Sequence, residues 1–563
     1  MWKRSLLLFS ALLLALLALT ALPAALGAPI NTPAATSTPQ PADSLLIGTP
    51  AEDLHNITDA GVFNLVPGYV VSGLQPSRAT LWSQDVLSDG TEANDGFATV
   101  MVSGDFNGDG LFDVAVGIPN EDWESWDGFY VEPNAGAVNV IYNTPHGLDA
   151  AHHQFWTQNE TGVGVSEEGD GFGASLAVGD FNGDHYDDLA IGAPYEDLEW
   201  EGETITNAGV VFVLYGSPAG LTTTLTGCEE GEEHPPNLFT ARDIITLGGF
   251  AHPAPYEHFG AALASGDFDE DGRSDLAIGI PNETNDVNGH TDAGAVAELL
   301  GDGAGCDGGL YYYHSRMFHQ PVVKDFSHFG ATLVAANVDG ILGDDLVVGV
   351  PQDDVNGQGD AGSIVVLFGE ADTGGLSDYW ALQLYQEDLR DWDGNSVETS
   401  EGYEYFGYAL AAGDFDHDGI DDIVVSTPYE DNEGSSWGTE VGVVHVLMGA
   451  VNDPLRTDTF TWYPFDTGSH AGMALSVGDY NGDGYDDFAV GLPDIDYYGA
   501  DDAGEVDIFY SDGSIRPDFP THQTISSSNL PNNALEEGDR LGSSLATLPA
   551  PLHRLYLPLI LRH

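Results

Sequence analysis

The sequence predicts an all-β fold: a seven-bladed β-propeller whose seventh blade is closed by strands from both ends of the chain. The first supporting observation is a repeated pattern of an aromatic-glycine pair, a short apolar strand, an acidic loop, a second strand ending near proline, and a third strand. The second is that no stretch carries the period of an amphipathic helix. Repeats that each form one antiparallel sheet bury both faces of that sheet against their neighbours, which favours a ring of blades.

The repeats are located by their aromatic-glycine pairs. The first residue of the pair, or its substitute, falls at Phe97, Phe172, Phe259, Phe329, Phe406, Ala471 and Leu541. Before Phe97 the chain has a third-strand pattern at 60–66 and a fourth-strand pattern at 79–82. The last repeat, around Leu541, has only a first-strand pattern, at 538–548. We expect these parts to form one blade, because closing the ring removes exposed sheet edges. The apolar tail, residues 549–563, is a candidate second strand of that blade, with a sorting or docking tail as the alternative.

The N-terminal residues have the pattern of a secretory signal. Lys3 and Arg4 precede an apolar run, and small residues follow it near Gly27. An uncleaved membrane anchor is the alternative, although the run is barely long enough to span a bilayer. We therefore expect a signal peptide at 1–27, a linker rich in Pro, Thr and Ala at 28–58, and a propeller at 59–548. The mature chain is expected to be secreted or at the cell surface, without a stable membrane span.

Composition narrows the range of partners. The chain has 91 acidic and 13 basic residues, a formal net charge of −78. Nucleic acid is not an expected partner, because phosphate backbones are bound by clustered Lys and Arg. The two cysteines, Cys228 and Cys306, fall in glycine-rich insertions of consecutive repeats. A disulfide between them is expected in an exported chain, and two free thiols are the alternative.

Each acidic loop places oxygen-bearing side chains on alternate residues. In the second repeat these are Asp180, Asn182, Asp184 and Asp188, at loop positions 1, 3, 5 and 9, and the carbonyl of Tyr186 is available at position 7. This spacing suits Ca²⁺, which takes about six to eight oxygen ligands. The same pattern recurs in four further loops: Asp105, Asn107, Asp109, Leu111 and Asp113; Asp267, Asp269, Asp271, Arg273 and Asp275; Asp414, Asp416, Asp418, Ile420 and Asp422; and Asp479, Asn481, Asp483, Tyr485 and Asp487.

Turn chemistry is the alternative explanation for these loops, since Asp and Gly favour turns. A turn does not require carboxylates on alternate residues in repeat after repeat, so we expect about five structural Ca²⁺ sites. The loop of the fourth repeat departs from the pattern. Asn337, Asp339 and Asp345 remain, but Ile341 takes position 5. There we expect no metal, or weak binding.

Together these motifs resemble FG-GAP repeats, as in the propeller of integrin alpha subunits, and the resemblance covers residues 59–548. It implies an adhesion or recognition module whose face opposite the calcium loops contributes to binding an extracellular protein or glycan. The variable loops of that face are acidic and aromatic, and exposed aromatic side chains make good anchors, although capping of blade ends is the alternative. The candidate partner-binding residues are Trp123, Trp126, Tyr130, Tyr195, Trp200, Tyr429, Trp437, Tyr497 and Tyr498.

The competing class is an extracellular glycan-active enzyme, a lyase or hydrolase on a propeller scaffold. Residues 434–438 match G-x-S-x-G, but that motif needs a strand-turn-helix setting and here lies in a variable loop. FG-GAP repeats also resemble the propeller of glycosylphosphatidylinositol-specific phospholipase D, whose separate catalytic domain has no counterpart in this sequence. We therefore expect a binding protein without catalytic residues.

Overall fold

The computed structural model describes residues 40–551, apart from short internal gaps. The gaps are residues 56, 88–89, 125–129, 224–236, 247–248, 251, 285–288, 304–307, 342, 371–373, 392–393, 432–439, 452–453, 456–458, 465–467, 497–499, 514–520 and 532–537. The expected signal peptide, both cysteines, the G-x-S-x-G motif and residues 552–563 therefore lie outside the described residues.

Six four-stranded antiparallel sheets follow one another along the chain, and each is formed by one repeat. The strands of the first three blades are Val100–Gly104, Asp113–Ile118, Ala137–Thr144 and Gly147–Trp156; Ser175–Gly179, Asp188–Ala193, Val210–Leu214 and Leu238–Thr240; and Ala262–Gly266, Asp275–Ile280, Ala295–Asp302 and Gly309–Phe318. Those of the next three are Thr332–Ala336, Asp345–Val350, Ser363–Glu370 and Gly375–Leu384; Leu410–Gly413, Asp422–Thr427, Val443–Leu447 and Thr459–Trp462; and Leu475–Gly478, Asp487–Leu492, Glu505–Tyr510 and Thr521–Ser526.

The seventh blade is assembled from both ends of the described chain. Its strands, in spatial order from the first to the fourth, are Ser544–Leu548, Pro41–Thr49, Val62–Tyr69 and Thr80–Trp82. The first strand of every blade contacts the first strand of the next, and the contact between Ser544–Leu548 and Val100–Gly104 completes the circle. The all-β, seven-bladed propeller closed by strands from both termini is therefore confirmed.

The expected boundary of the linker is wrong. Residues 41–49 belong to the propeller, because this segment pairs with Val62–Tyr69 on one side and with Ser544–Leu548 on the other. Leu45, Leu46 and Ile47 are completely buried, so both faces of this strand lie in the core. The second-strand position of the seventh blade is thus filled by the N-terminal segment, and the C-terminal tail is not needed there.

Burial on both faces explains the sequence of the inner strands. Each second strand of the six full repeats is buried along its whole length, which is why it is a continuous apolar run rather than an alternating one. The Ala-Gly start of the third strands has a steric cause. At Gly136, which has a φ of 87°, an added Cβ would lie 2.3 Å from the carbonyl oxygen of Phe172 in the next blade. Glycine therefore lets one blade approach the aromatic residue of its neighbour.

The turns fall on two faces. Those joining strands one to two and three to four form what we call the acidic-loop face, and those joining strands two to three and one blade to the next form the opposite face. Short elements in the connections are the α-helices Gln84–Leu87 and Gln158–Thr161, the 3₁₀ turns Pro76–Arg78, Ala241–Asp243, Gln386–Asp388 and Ser527–Asn529, and the small strands Gly73–Leu74, Trp123–Glu124, Val131–Glu132, Leu198–Trp200, Glu203–Ile205, Ile245–Thr246 and Gly249–Phe250. Within the described ranges, no helix has the length and apolar character required to cross a membrane.

Candidate metal centres and the opposite face

The acidic loops share one conformation, held by backbone N–H groups that donate to carboxylates. In the first repeat, Asp105 accepts hydrogen bonds from the N–H groups of Asp109 (2.9 Å) and Gly110 (2.8 Å). Asp109 in turn accepts one from the N–H of Leu111 at 2.9 Å. Equivalent bonds form in the second, third, fifth and sixth repeats. The local hydrogen bonding therefore turns the alternate side chains toward the inside of each loop.

Position 6 of these loops needs a left-handed backbone. Gly110 has a φ of 85°, and glycine also occupies this position in the third, fifth and sixth repeats. His185 replaces it in the second repeat and adopts a φ of 70°. Its N–H donates to Asp180 at 2.9 Å, as the glycine N–H groups do in the other loops. The second loop thus keeps the geometry of the others.

The aspartate at position 9 is the anchor of each loop. Asp275 is fully buried, and its two oxygens accept hydrogen bonds from the N–H groups of Phe268 and Gly301, both at 2.8 Å. Burial raises the pKa of Asp275 to about 9 and that of Asp113 to about 8. A cation beside these side chains would favour their ionised form and offset the cost of burial.

The donor set of the five loops fits a hard divalent cation. All side-chain donors are carboxylate or amide oxygens, and Ca²⁺ prefers both kinds. In the third and fifth loops, carboxylate oxygens from positions 1, 3 and 9 lie within 4.8 Å of one another: Asp267, Asp269 and Asp275, and Asp414, Asp416 and Asp422. In the other three loops asparagine supplies position 3. These residues would hold the metal, and a bound ion would cross-link side chains that otherwise repel one another.

The fourth loop keeps its anchor and loses part of its donor set. Asp345 still accepts hydrogen bonds from the N–H groups of Val338 and Gly369, both at 3.0 Å. Position 1 is the neutral Asn337, and position 5 is Ile341, whose side chain is 55% exposed. The loop is therefore held in place without the full set of oxygens that the other five share.

A further set of aspartates, which the sequence reasoning missed, joins each loop to the next blade. These residues occupy position 8, directly before the anchor, or the equivalent place in the seventh blade. Each accepts a hydrogen bond from the backbone N–H at position 1 of the preceding loop. We call them the inter-blade aspartates: Asp43, Asp187, Asp344, Asp421 and Asp486. The recurring Asp-Asp pair was the signal in the sequence that could have identified four of them.

The aromatic residues expected on the opposite face have several fates. Trp126, Trp437, Tyr497 and Tyr498 lie outside the described residues, and Trp123 and Trp200 are half-buried in small hairpins. Tyr130 is exposed. Tyr195 packs edge-on against His258, and Tyr429 packs against both Tyr405 and His470. The structure thus brings some of the candidates into contact with residues that the sequence did not single out.

Three exposed aromatic residues were missed on that face. Tyr256, Phe326 and Tyr403 each lie three residues before the aromatic-glycine pair of blades three, four and five, and they are 57%, 56% and 67% exposed. Their φ values are 66°, 60° and 71°, a left-handed conformation that is costly for bulky residues. Each N–H donates to a carbonyl of the preceding blade, at 2.8, 2.9 and 2.8 Å, which fixes that conformation. The equivalent residue in the first repeat is Asn94, which tolerates it well.

Histidines connect these blades on the same face. Asn282 donates from Nδ2 to Nδ1 of His258 (3.0 Å) and accepts from Nδ1 of His328 (2.8 Å). Burial lowers the pKa of both histidines and so favours neutral rings, and His258 must be neutral to accept a hydrogen bond at Nδ1. Further round the ring, His470 donates to Asp494 at 2.6 Å, and Arg540 also pairs with that carboxylate at 2.7 Å. The face therefore presents aromatic, imidazole and carboxylate groups in adjoining blades.

Buried carboxyl groups also link blades on the opposite face. Glu121, Glu196 and Glu430 accept hydrogen bonds from Nε2 of a glutamine on the preceding blade: Gln84 (2.6 Å), Gln158 (2.5 Å) and Gln386 (2.6 Å). Burial, and then the nearby carboxyl of Asp95, raise the pKa of Glu121 to about 8. Burial likewise raises the pKa of Glu196 and of Glu430, each of which lies beside a second carboxyl.

Comparison with known proteins gives matches to the repeats and to the propeller. The family model described as FG-GAP repeat matches residues 97–141, 172–214, 259–299, 406–447 and 471–509. The fourth repeat is not among these matches, in keeping with its altered loop. A solved structure entitled "Structure of Dos1 propeller" aligns with a TM-score of 0.32 and 12% identity, over 71% of this chain and 78% of that one.

Curated relatives of two kinds match parts of the chain. Integrin alpha-PS2 of Drosophila melanogaster is 32% identical over 194 residues, which is 33% of this chain and 12% of the relative. Integrin alpha-8 of Gallus gallus is 31% identical over 202 residues, or 34% of this chain and 16% of the relative. Phosphatidylinositol-glycan-specific phospholipase D of Homo sapiens is 28% identical over 243 residues, or 42% of this chain and 24% of the relative. The matches thus span a quarter or less of each relative's length.

Proposed function

This chain is an FG-GAP repeat protein with an integrin alpha-like β-propeller, and on that premise we propose that it is a secreted or cell-surface recognition module braced by Ca²⁺. The metal would occupy the first, second, third, fifth and sixth acidic loops and stabilise the ring. The opposite face would bind an extracellular protein or glycan. No catalytic residues are part of this proposal.

The calcium part of the proposal is supported by the shared geometry of the five loops. Each gathers oxygen donors around one hairpin, and burial of the position 9 aspartate leaves its charge costly unless it is balanced. Integrin alpha-PS2 and alpha-8 match 33% and 34% of this chain. The role of the metal would be structural, because it would brace the loops from one side of the ring while the variable loops lie on the other.

One observation carries the binding part: three adjoining blades place exposed aromatic side chains at strained backbone positions. A left-handed conformation costs a non-glycine residue about 1–2 kcal/mol. Strain of this kind concentrates at ligand-binding sites, where the surrounding structure holds it in place. Tyr256, Phe326 and Tyr403 stand where asparagine or glycine would be easier to accommodate, so their side chains are best explained by contacts with a partner.

The chemistry of this face favours a partner with cationic and apolar groups. Aromatic rings bind ammonium and guanidinium groups as well as apolar side chains. A carboxylate is close by: burial, and then the charge of Asp360, raise the pKa of Tyr405, which lies two residues after Tyr403. The net charge of −78 would also draw a basic partner toward the protein. A glycan that stacks on the same rings is the second candidate ligand.

The test is capture of a partner from native cell-envelope and matrix extracts, with the chain from residue 28 onward as bait, in calcium and again in EDTA. We expect a partner that is retained in calcium and lost with the triple variant Tyr256→Asn, Phe326→Asn and Tyr403→Asn. The matched control is Tyr379→Asn with Trp380→Asn, which removes exposed aromatics from an outer strand of blade four.

Equal capture by the triple variant would contradict the assigned face. Absence of any partner, from protein that calcium stabilises, would count against a recognition module and favour the glycan-active enzyme. That alternative would then be tested by glycan-turnover assays. The enzyme alternative is supported by the similarity of this chain to phosphatidylinositol-glycan-specific phospholipase D of Homo sapiens, of which the match covers 24%.

A further inference from the structure

The inter-blade aspartates tie the acidic loops into a series around the ring. At each of the five junctions that have an inter-blade aspartate, two hydrogen bonds run in opposite directions. The N–H of the position 1 residue donates to the aspartate carboxylate of the next blade, and the N–H of that aspartate donates back to the position 1 carbonyl. Between the third and fourth blades, for example, both bonds join Asp267 and Asp344 and both are 2.9 Å long. The backbone of a metal-binding residue is thereby fixed by the neighbouring blade.

Asp43 makes the same contact at the place where the ring closes. Its carboxylate Oδ2 accepts a hydrogen bond from the N–H of Asp479 (3.0 Å), and its own N–H donates to the carbonyl of Asp479 (3.1 Å). Its other oxygen, Oδ1, accepts from the N–H of Ala550 at 2.8 Å. One side chain therefore joins the N-terminal strand, the sixth acidic loop and the segment that follows the last strand.

We propose that Asp43 is a positioning residue that couples Ca²⁺ binding at the sixth loop to closure of the ring by the N-terminal strand Pro41–Thr49. The inference rests on the calcium sites of the proposed function. Asp479 would give its side-chain oxygens to the metal while its backbone N–H and carbonyl are held by Asp43. Coupling of this kind is reciprocal, so the metal would favour docking of the strand and the docked strand would favour binding of the metal.

Ring closure is what distinguishes Asp43 from the other inter-blade aspartates. Asp187, Asp344, Asp421 and Asp486 join blades whose strands follow one another along the chain. Strand Pro41–Thr49 instead meets the sixth blade and strand Ser544–Leu548 from the other end of the sequence, and only non-covalent contacts hold it to them. The junction between the second and third blades provides a natural contrast. Ser274 occupies the place of the aspartate there, and its backbone N–H still donates to the carbonyl of Asp180 at 3.1 Å, but serine has no carboxylate. At this junction, where the chain itself connects the two blades, serine takes the place of the carboxylate.

The experiment is hydrogen exchange followed by mass spectrometry on the chain from residue 28 onward, with CaCl₂ and with EDTA. Peptides covering 41–49 report on the N-terminal strand, and peptides covering 479–487 report on the sixth loop. The variants are Asp43→Asn and, as the matched control, Asp187→Asn, which breaks the same contact between the first two blades. Asparagine keeps the size of the side chain, but it places an NH₂ group against one of the two N–H donors of Asp479 and Ala550.

In the wild-type protein, calcium should slow exchange in both segments. In Asp43→Asn the protection of 41–49 by calcium should fall by about tenfold or more, the loss expected for a hydrogen bond to a charged acceptor. Asp187→Asn should retain it. If calcium protects 479–487 but not 41–49 in the wild type, the coupling is overturned and the calcium sites stand. This outcome does not depend on whether Asp43→Asn folds. Equal protection of 41–49 in wild type and Asp43→Asn would overturn the coupling too, whereas no calcium effect in either segment would refute the calcium sites as well.

Discussion

The two faces of this propeller bury carboxyl groups in opposite ways. On the acidic-loop face, Asp275 and its equivalents accept backbone N–H groups beside a cluster of further oxygens, an arrangement that a cation would complete. On the opposite face, Glu121 accepts a hydrogen bond from the side chain of Gln84 and lies near the carboxyl of Asp95. A proton on the carboxyl of Glu121 would complete that arrangement. The comparison indicates that metal should stabilise one face and low pH the other.

The largest expected effect is the removal of metal from the acidic-loop face. With Ca²⁺ at 100 times its dissociation constant, each independent site stabilises the folded chain by about 2.7 kcal/mol. Excess EDTA should therefore lower the melting temperature sharply, as measured by calorimetry or circular dichroism. Added CaCl₂ in excess of the chelator should restore it. A melt that is unchanged in EDTA would contradict the calcium sites and leave the turn chemistry of Asp and Gly as the explanation of the loops.

The opposite face should respond to pH. In the unfolded chain Glu121 loses its proton near its ordinary pKa of about 4.5, whereas in the folded chain it holds the proton up to about pH 8. Its contribution is therefore fully present below pH 4.5 and is lost as the pH rises toward 8. Glu121→Gln mimics the protonated side chain, so the free energy of unfolding should fall less steeply with pH, by up to about 1.4 kcal/mol per pH unit.

The groups facing Glu121 are Gln84, Asp95, Glu92 and Asp122, and none of them is changed in that variant. Urea unfolding at a series of pH values from 4 to 8 measures the slope. Glu203→Gln, at an exposed position of the second-blade hairpin, is the control for loss of one charge. Identical slopes for wild type and Glu121→Gln would mean that this side chain is ionised in the folded protein.

The fourth loop allows the acidic-loop face to be extended. The double change Asn337→Asp and Ile341→Asp would supply the oxygens that this loop lacks, because its anchor Asp345 is already in place. We expect one additional bound Ca²⁺ by metal analysis and, at saturating calcium, stabilisation by at most about 2.7 kcal/mol. Asn337→Ser with Ile341→Ser is the control for loss of the exposed isoleucine. An unchanged metal content in the double aspartate variant would show that the anchor and spacing do not suffice to make a site.

The smallest effect concerns the exposed aromatics. Tyr403→Asn should leave the protein as stable as wild type, or more stable by about 1 kcal/mol, because asparagine adopts the left-handed backbone more readily. Binding of the captured partner should weaken at the same time. Thermal melts and an affinity measurement on the same samples check both. A clear loss of stability would mean that the ring of Tyr403 caps its blade, which is the structural alternative to an anchor.

The sequence alone determined the architecture and the acidic loops. The aromatic-glycine starts, the Asp spacing and the Ala-Gly strands all repeat, and local repetition is readable because each blade uses the same residues for the same steric purpose, as Gly136 does beside Phe172. The altered loop of the fourth repeat was likewise visible, since Ile341 breaks the pattern of oxygens. The sequence therefore predicted the interactions that form within a single repeat.

Only the tertiary structure revealed the contacts between one blade and the next. Strand Pro41–Thr49 was assigned to a linker because its neighbours in sequence are rich in Pro, Thr and Ala, and its partner strand Ser544–Leu548 lies at the far end of the chain. The inter-blade aspartates and the carboxyl of Glu121 were missed for the same reason: their donors belong to other blades. Sequence spacing fixes contacts within a hairpin, whereas contacts across a closed ring depend on which residues the fold brings together.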